Sequence, residues 1–317
     1  MSRFGKFLGL LILSATLCFP SQQDTSFGWE QLSESADLPK TVLRLKPVIG
    51  MPYQGRIVGI YKDRRDKRDF NYLGNYGEDF RALTFWKRAI PTLDDYGPAV
   101  SPRLTFLVQN NDLDLDQNQL RNQLFFPKFD PEILSSLGVR MIFSDLEYSG
   151  LPYDKIMLKD EEVLRSYILE NTNIRGYFVN TVINNFPGSK QQKVAKVTEL
   201  LRSRRAALIE GELVDRAPQD LSLGKWSRVT YLSAGFRVEA KGEGNSLLLL
   251  PFEYSSCLKI KENTSHRKLA IGPTNLLQTG VVFDRKLDIE IKFTTGIFVN
   301  PFCRLEDAKT FKEGWVD

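Results

Sequence analysis

Apolar and polar positions divide the chain into four stretches. The first is Phe7–Pro20 (FLGLLILSATLCFP), an uncharged, mostly apolar run that follows Arg3 and Lys6 and gives way to the polar Ser21–Asp24. A basic flank, an apolar run and a polar exit form the layout of a secretory leader. The run of about 14 residues is shorter than the roughly 20 that a spanning helix needs. Residues 1–21 are therefore expected to form one apolar helix that serves as a signal peptide or a membrane anchor. The positive end stays inside, so the bulk of the chain is expected to be extracytoplasmic. Cleavage is weakly marked: the nearest small-residue site is Thr16–Cys18, and Leu17 stands where a lipoprotein signal carries a small residue.

Residues 22–79 read as a polar connector with one strand, Gly55–Tyr61, followed by a charged loop. Residues 80–207 read as a small α+β subdomain. Phe80–Ala89 predicts a short helix stopped by Ile90 and Pro91, and Arg103–Val108 a strand or short helix. Asp130 and Pro131 suit the N-cap and first turn of a helix that runs to Leu137, with Gly138 as its stop. Val139–Phe143, Ser166–Leu169 and Gly176–Val179 follow as strands. Val194, Val197, Leu200 and Leu201 then repeat at helical spacing over 190–206.

From 208 to 317 the pattern is all β. The expected strands are Ala207–Leu213, Arg228–Leu232, Phe236–Ala240, Leu247–Phe252, Cys257–Lys261, Lys268–Ile271, Gly280–Phe283 and Leu287–Phe293. Leu287–Phe293 (LDIEIKF) alternates strictly, with one face for a core and one for water. Short strands at about ten-residue spacing predict a C-terminal antiparallel β-sandwich. The fold class expected is thus α+β.

Charge narrows the partners. The net charge of +4 falls to about +2 once Arg3 and Lys6 are set aside, too weak a field to imply nucleic acid. Lys62–Asp69 mixes cations with Asp and reads as a solvated loop, while Arg202–Arg205 closes a helix where cations favour the dipole. The single histidine, His266, excludes a histidine-based triad or a two-histidine metal site, and no metal or other cofactor is expected. Of three cysteines, Cys18 lies in the leader. Cys257 and Cys303 can pair, closing a loop of roughly 45 residues, or stay two separate buried thiols.

Other chemical motifs are thin. Asp112–Asn118 alternates acids and amides like the start of a calcium loop, but Gln117 and Gln123 stand where that loop needs Gly and Glu. Asp94 with Asp95, and Asp160 with Glu161 and Glu162, are carboxylate pairs of a kind glycosidases use, set in a turn and at a helix start. Asn263–Ser265 is an N-glycosylation sequon. Trp226, Phe252 and Tyr254 are candidates for stacking on sugar rings, against the commoner role of strand aromatics as core.

Asp130–Phe143 (DPEILSSLGVRMIF) resembles an L-x-x-L-G-V-R-Y-hydrophobic element in the extracytoplasmic C-terminal part of large bacterial multi-span membrane proteins of the GT-C glycosyltransferase type. Tyr167–Val179 (YILENTNIRGYFV) resembles the next element, and Thr92–Tyr96 with Val100–Pro102 the preceding one. Val238–Ala240, Ser246–Tyr254, Asn275, Gly280–Val282 and Ile289–Phe293 are similar to its β region. Two departures stand out. Ser255–Cys257 replaces a Pro-Gly-Trp, and these 317 residues hold no run of spans like the family's bundle, so no catalytic residue is expected to carry over. The resemblance implies a non-catalytic extracytoplasmic domain, tethered to the membrane by its N-terminal segment. It would serve cell-envelope glycan or a multi-span membrane partner. The alternative is a secreted carbohydrate-binding β-sandwich protein.

Overall fold

The computed structural model describes residues 40–60, 90–93, 101–110, 119–120, 123–124, 130–144, 146–157, 163–184, 186–263, 269–293 and 302–315. The apolar run Phe7–Pro20, the helix expected over Phe80–Ala89, the basic loop Lys62–Asp69 and His266 lie outside these residues. So do the acidic stretches at 94–95, 112–118 and 160–162. No helix among the described residues is long and apolar enough to cross a membrane.

The molecule is α+β and mostly sheet. In chain order it runs α1 (Lys40–Leu43), β1 (Arg56–Ile60), α2 (Pro102–Asn110), β2 (Gln119–Leu120), β3 (Gln123–Leu124), α3 (Pro131–Ser136) and β4 (Val139–Ser144). It continues β5 (Tyr153–Met157), β6 (Val163–Ile168), β7 (Tyr177–Val179), β8 (Thr181–Asn184), α4 (Lys190–Ser203), β9 (Ala206–Ile209) and α5 (Glu212–Arg216). It ends β10 (Trp226–Leu232), β11 (Gly235–Glu253), β12 (Leu258–Glu262), β13 (Ala270–Thr274), β14 (Gln278–Phe293) and α6 (Cys303–Trp315).

Two of the expected helices are set by local chemistry. Asp130 caps α3 by accepting from the backbone N–H groups of Glu132 (2.9 Å) and Ile133 (3.1 Å). Gly138 follows at φ +82°, and a Cβ there would press on Pro251 at 3.0 Å, so both conformation and space demand glycine. Ser189 and Gln192 form a reciprocal capping box at the start of α4. Val194, Val197, Leu200 and Leu201 are the buried stripe of that helix. Beside these helices lies a four-stranded sheet in the order β1-β4-β6-β5, with β1 and β4 parallel.

The larger sheet has eight strands and is mixed, not an antiparallel sandwich over 208–317. It takes in β7, β8 and the start of β9 from before residue 208, and β8 pairs with β9 in parallel. Two pairs of expected strands are each one long strand. Gly242 and Gly244 mark a register shift in the 19-residue β11, so the chain bends there without reversing. Arg285, at φ +57°, occupies the matching irregularity in the 16-residue β14. The strand expected over Ala207–Leu213 stops at Ile209, and the chain turns at Gly211 into α5.

Pairing runs β7-β11-β14-β13-β9-β8, and β8 follows β7 after the single residue Asn180. One face of this half of the sheet packs a core of Val179, Ala207, Ile209, Leu213, Leu247, Leu249, Ala270 and Val282. Leu248, Leu250, Val281 and Phe283 point the other way, into a second core with Val229, Val238 and Ile289. Burial on both faces explains why Leu247–Leu250 is a continuous apolar run and not an alternation.

A buried polar seam ties α3 to the larger sheet. The Gln278 side chain donates to Ser136 O (3.1 Å) and accepts from the Tyr177 hydroxyl (2.8 Å) and the Asn275 amide (3.2 Å). Asn275 also accepts from Leu208 N at 2.9 Å, acting as a short piece of strand. Burial pushes the Tyr177 phenol up to about 12. A phenol that ionises near 10 in the unfolded chain holds its proton more tightly when folded. Its contribution is thus intact below pH ~10 and is lost as pH rises through about 12. We expect Tyr177→Phe to remove stability loss from that window, read as alkaline unfolding at fixed denaturant. An alkaline profile identical to wild type would refute the assignment.

Candidate binding cleft

Ser101 and Pro102 place the first functional side chain. The Ser101 hydroxyl accepts from Leu104 N (3.1 Å) and Pro102 opens α2, the usual pairing of cap and first turn. Arg103 follows, with its side chain only 4% exposed. Its Nη1 donates to Glu210 Oε2 (3.0 Å) and to Leu276 O (2.9 Å). The same Glu210 oxygen accepts from Trp315 Nε1 at 2.9 Å. Glu210 Oε1 is buried without a hydrogen-bond partner among the described residues.

Trp315 reaches Glu210 because α6 is held against the larger sheet at several points. Cys303, its first residue, is joined to Cys257 by a disulfide. One turn on, Asp307 accepts from Ser255 Oγ (2.5 Å) and Ser256 N (2.6 Å). Phe311 and Trp315 then meet Phe106 of α2 edge-on, with ring centres 5.2 and 5.8 Å apart.

Between α6 and the edges of β9, α5 and β13 lies a cleft of about 600 Å³. Arg103, Glu210 and Trp315 form part of its wall, with Tyr254, Phe186, Lys193, Glu212 and Glu306 around them. The Tyr254 phenol is raised, first by burial and then by the nearby Asp307 and Glu212 carboxylates. The lining thus offers aromatic surface, carboxylate acceptors and ammonium donors in one concavity, the composition of a site for a polar ligand.

The three aromatic candidates are not brought together. Tyr254 lines the cleft. Phe252 stacks on Phe236 (4.9 Å, 11°) and borders a separate cavity of about 210 Å³ with Arg56 and Gln278. Trp226 is 43% exposed at the start of β10, opposite Lys241 and eleven residues along β11 from Phe252. Arg103, Glu210 and Trp315 carried no signal in the sequence, because each stands alone there. One pattern does announce α6: Cys303, Asp307, Phe311 and Trp315 recur every four residues and are all buried.

Other candidate groups have structural partners. Asn263 of the sequon donates from its side chain to Asp288 Oδ1 at 3.0 Å. Arg237 holds Asp288 with two bonds, at 2.9 and 2.7 Å, and keeps its carboxyl below the usual carboxylate range. In the basic cluster, Arg202 pairs with Asp130, and Arg204 bonds Ser136 Oγ (2.8 Å) and Ser135 Oγ (2.5 Å). No group of three or more His, Cys, Asp or Glu among the described residues is arranged to hold a metal ion. Compared with family models, with curated proteins and with solved structures, the chain matches none.

Proposed function

We propose that this chain is a non-catalytic extracytoplasmic binding domain. It is held at the membrane through its N-terminal segment and takes a cell-envelope glycan in the cleft beneath α6. The Cys257–Cys303 disulfide carries this proposal. Such bonds persist in oxidising compartments, and this one fastens the helix that walls the cleft. Tyr254 and Phe186 supply ring faces, while Glu212, Glu306 and Lys193 supply acceptors and donors. Neither charge sign dominates that lining, which suits a hydroxyl-rich ligand better than a polyanion. The likeness of Asp130–Phe143 and Tyr167–Val179 to the soluble part of GT-C-type transferases adds support for envelope glycan.

Calorimetric titration against envelope glycan fragments tests the ligand. Binding should be saturable and fall at least about tenfold in Tyr254→Ala, given that a ring face and its excluded water are lost together. Glu212→Gln, at an exposed position, should weaken it without touching the fold. Trp226→Ala should leave it unchanged. Loss in Trp226→Ala alone would move the site away from the cleft, and no saturable binding to any fragment would sink the proposal. Fractionation tests the tether: membrane retention that resists salt is expected, whereas full release supports the secreted alternative.

A further inference from the structure

Residues 40–53 build a second surface, independent of the cleft. Val42 and Leu45 are buried in a core with Ile57, Met141 and Phe143. Tyr53 is buried edge-on to Tyr231 and Phe236. Between these two anchors the chain turns outward. Met51 N donates to Val48 O at 3.0 Å, with Gly50 at φ +83° in the third position, where this turn type requires a left-handed residue. The turn is fastened to β10 by Gly50 N to Tyr231 O, Tyr231 N to Met51 O and Tyr53 N to Val229 O, each 2.9 Å. A Cβ on Gly50 would meet nothing within 4 Å, so the tip stands in open space.

On this fixed turn Val48, Ile49 and Met51 are 57%, 70% and 54% exposed, and Leu43 nearby is 43% exposed. A rigid apolar tip held in water marks a contact surface. Its flank decides the partner. Lys40, Arg44 and Lys46 are exposed beside it, and no Asp or Glu occurs from Leu38 to Lys62. A second copy docking by the same surface would set these cations against their own equivalents. An anionic lipid surface takes both the apolar tip and the cations.

We propose that the Val48–Met51 turn inserts into the interfacial layer of an anionic bilayer, with Lys40, Arg44 and Lys46 against the headgroups. This contact is distinct from the N-terminal apolar run and would fix the orientation of the domain on the membrane. The test uses the full chain carrying Cys18→Ser and Ile49→Cys, labelled with an environment-sensitive fluorophore. A parallel label at Lys259→Cys marks the exposed face of β12. Both are placed on vesicles of phosphatidylcholine alone or mixed with phosphatidylglycerol.

A lipid-borne quencher should reach position 49 but not 259, only on the anionic vesicles, and less as salt rises. Arg44→Gln with Lys46→Gln should lower the inserted-to-free ratio on the order of 30-fold. Three results would overturn the proposal. Position 49 stays as open to an aqueous quencher as position 259; or quenching is equal on neutral and anionic vesicles; or shielding appears without vesicles and grows with protein concentration, which is self-association.

Discussion

Cys303→Ser is expected to lower the stability of the chain by about 4 kcal/mol, the largest effect of any single atom change at the cleft. The bond links residues 46 apart in sequence. Closing a loop of that length removes about 4 kcal/mol of chain entropy from the unfolded state. The loss should not be spread evenly. Without the bond, α6 is held by the Asp307 contacts to Ser255 and Ser256 and by Phe311 and Trp315 on Phe106. It becomes the part of the fold easiest to open. Hydrogen exchange over 303–315 should accelerate far more than over β11 or β14, and denaturant unfolding should shift to a lower midpoint. Reductant should produce the same two changes in the wild-type chain and none in the variant. Two free thiols in denatured, unreduced wild type, or a midpoint indifferent to reductant, would remove the clamp from the account. Because α6 walls the cleft, any ligand bound there should weaken in step with the exchange.

The sequence carried the local parts of this fold and concealed the non-local ones. Asp130, Pro131 and Gly138 bracket α3, because caps are written within four residues of the helix they start or stop, and Val194, Val197, Leu200 and Leu201 mark α4 by their spacing. The larger sheet depends on pairings between residues far apart. Gly242 and Gly244 look like a turn between two strands, and only the partner strand β14 makes them a bend in one. Leu247–Leu250 showed burial but not that two cores share it. At the cleft, Arg103 and Glu210 are 107 residues apart, and Glu210 and Trp315 are 105 apart. No window along the chain contains the constellation. The four-residue stripe of α6 was weakened as a hydrophobic signal by Asp307, which is buried because it answers Ser255 and Ser256. Cys257 and Cys303 were visible as the only cysteines beyond the leader, yet their spacing alone left pairing open.

Arg103→Met should destabilise the fold by about 3 kcal/mol, with a specific route to rescue. Methionine fills much of the arginine volume but donates nothing. Its introduction strands the Leu276 carbonyl and leaves the Glu210 carboxylate with Trp315 Nε1 as its remaining donor. Breaking a buried pair by removing one charge costs about 3–5 kcal/mol, because the other charge stays behind uncompensated. Glu210 keeps the bond from Trp315 Nε1, which compensates part of its charge and places the value near the low end. Adding Glu210→Gln removes the stranded charge while keeping an acceptor for Trp315. The double variant should therefore recover more than half of the loss, and Glu210→Gln alone should be the milder single change only if Arg103 keeps the Leu276 bond. A double-mutant cycle measured by denaturant unfolding reports the coupling directly. A coupling below about 1 kcal/mol is what a solvent-exposed pair would give, and it would mean that Arg103 and Glu210 do not hold the cleft wall together.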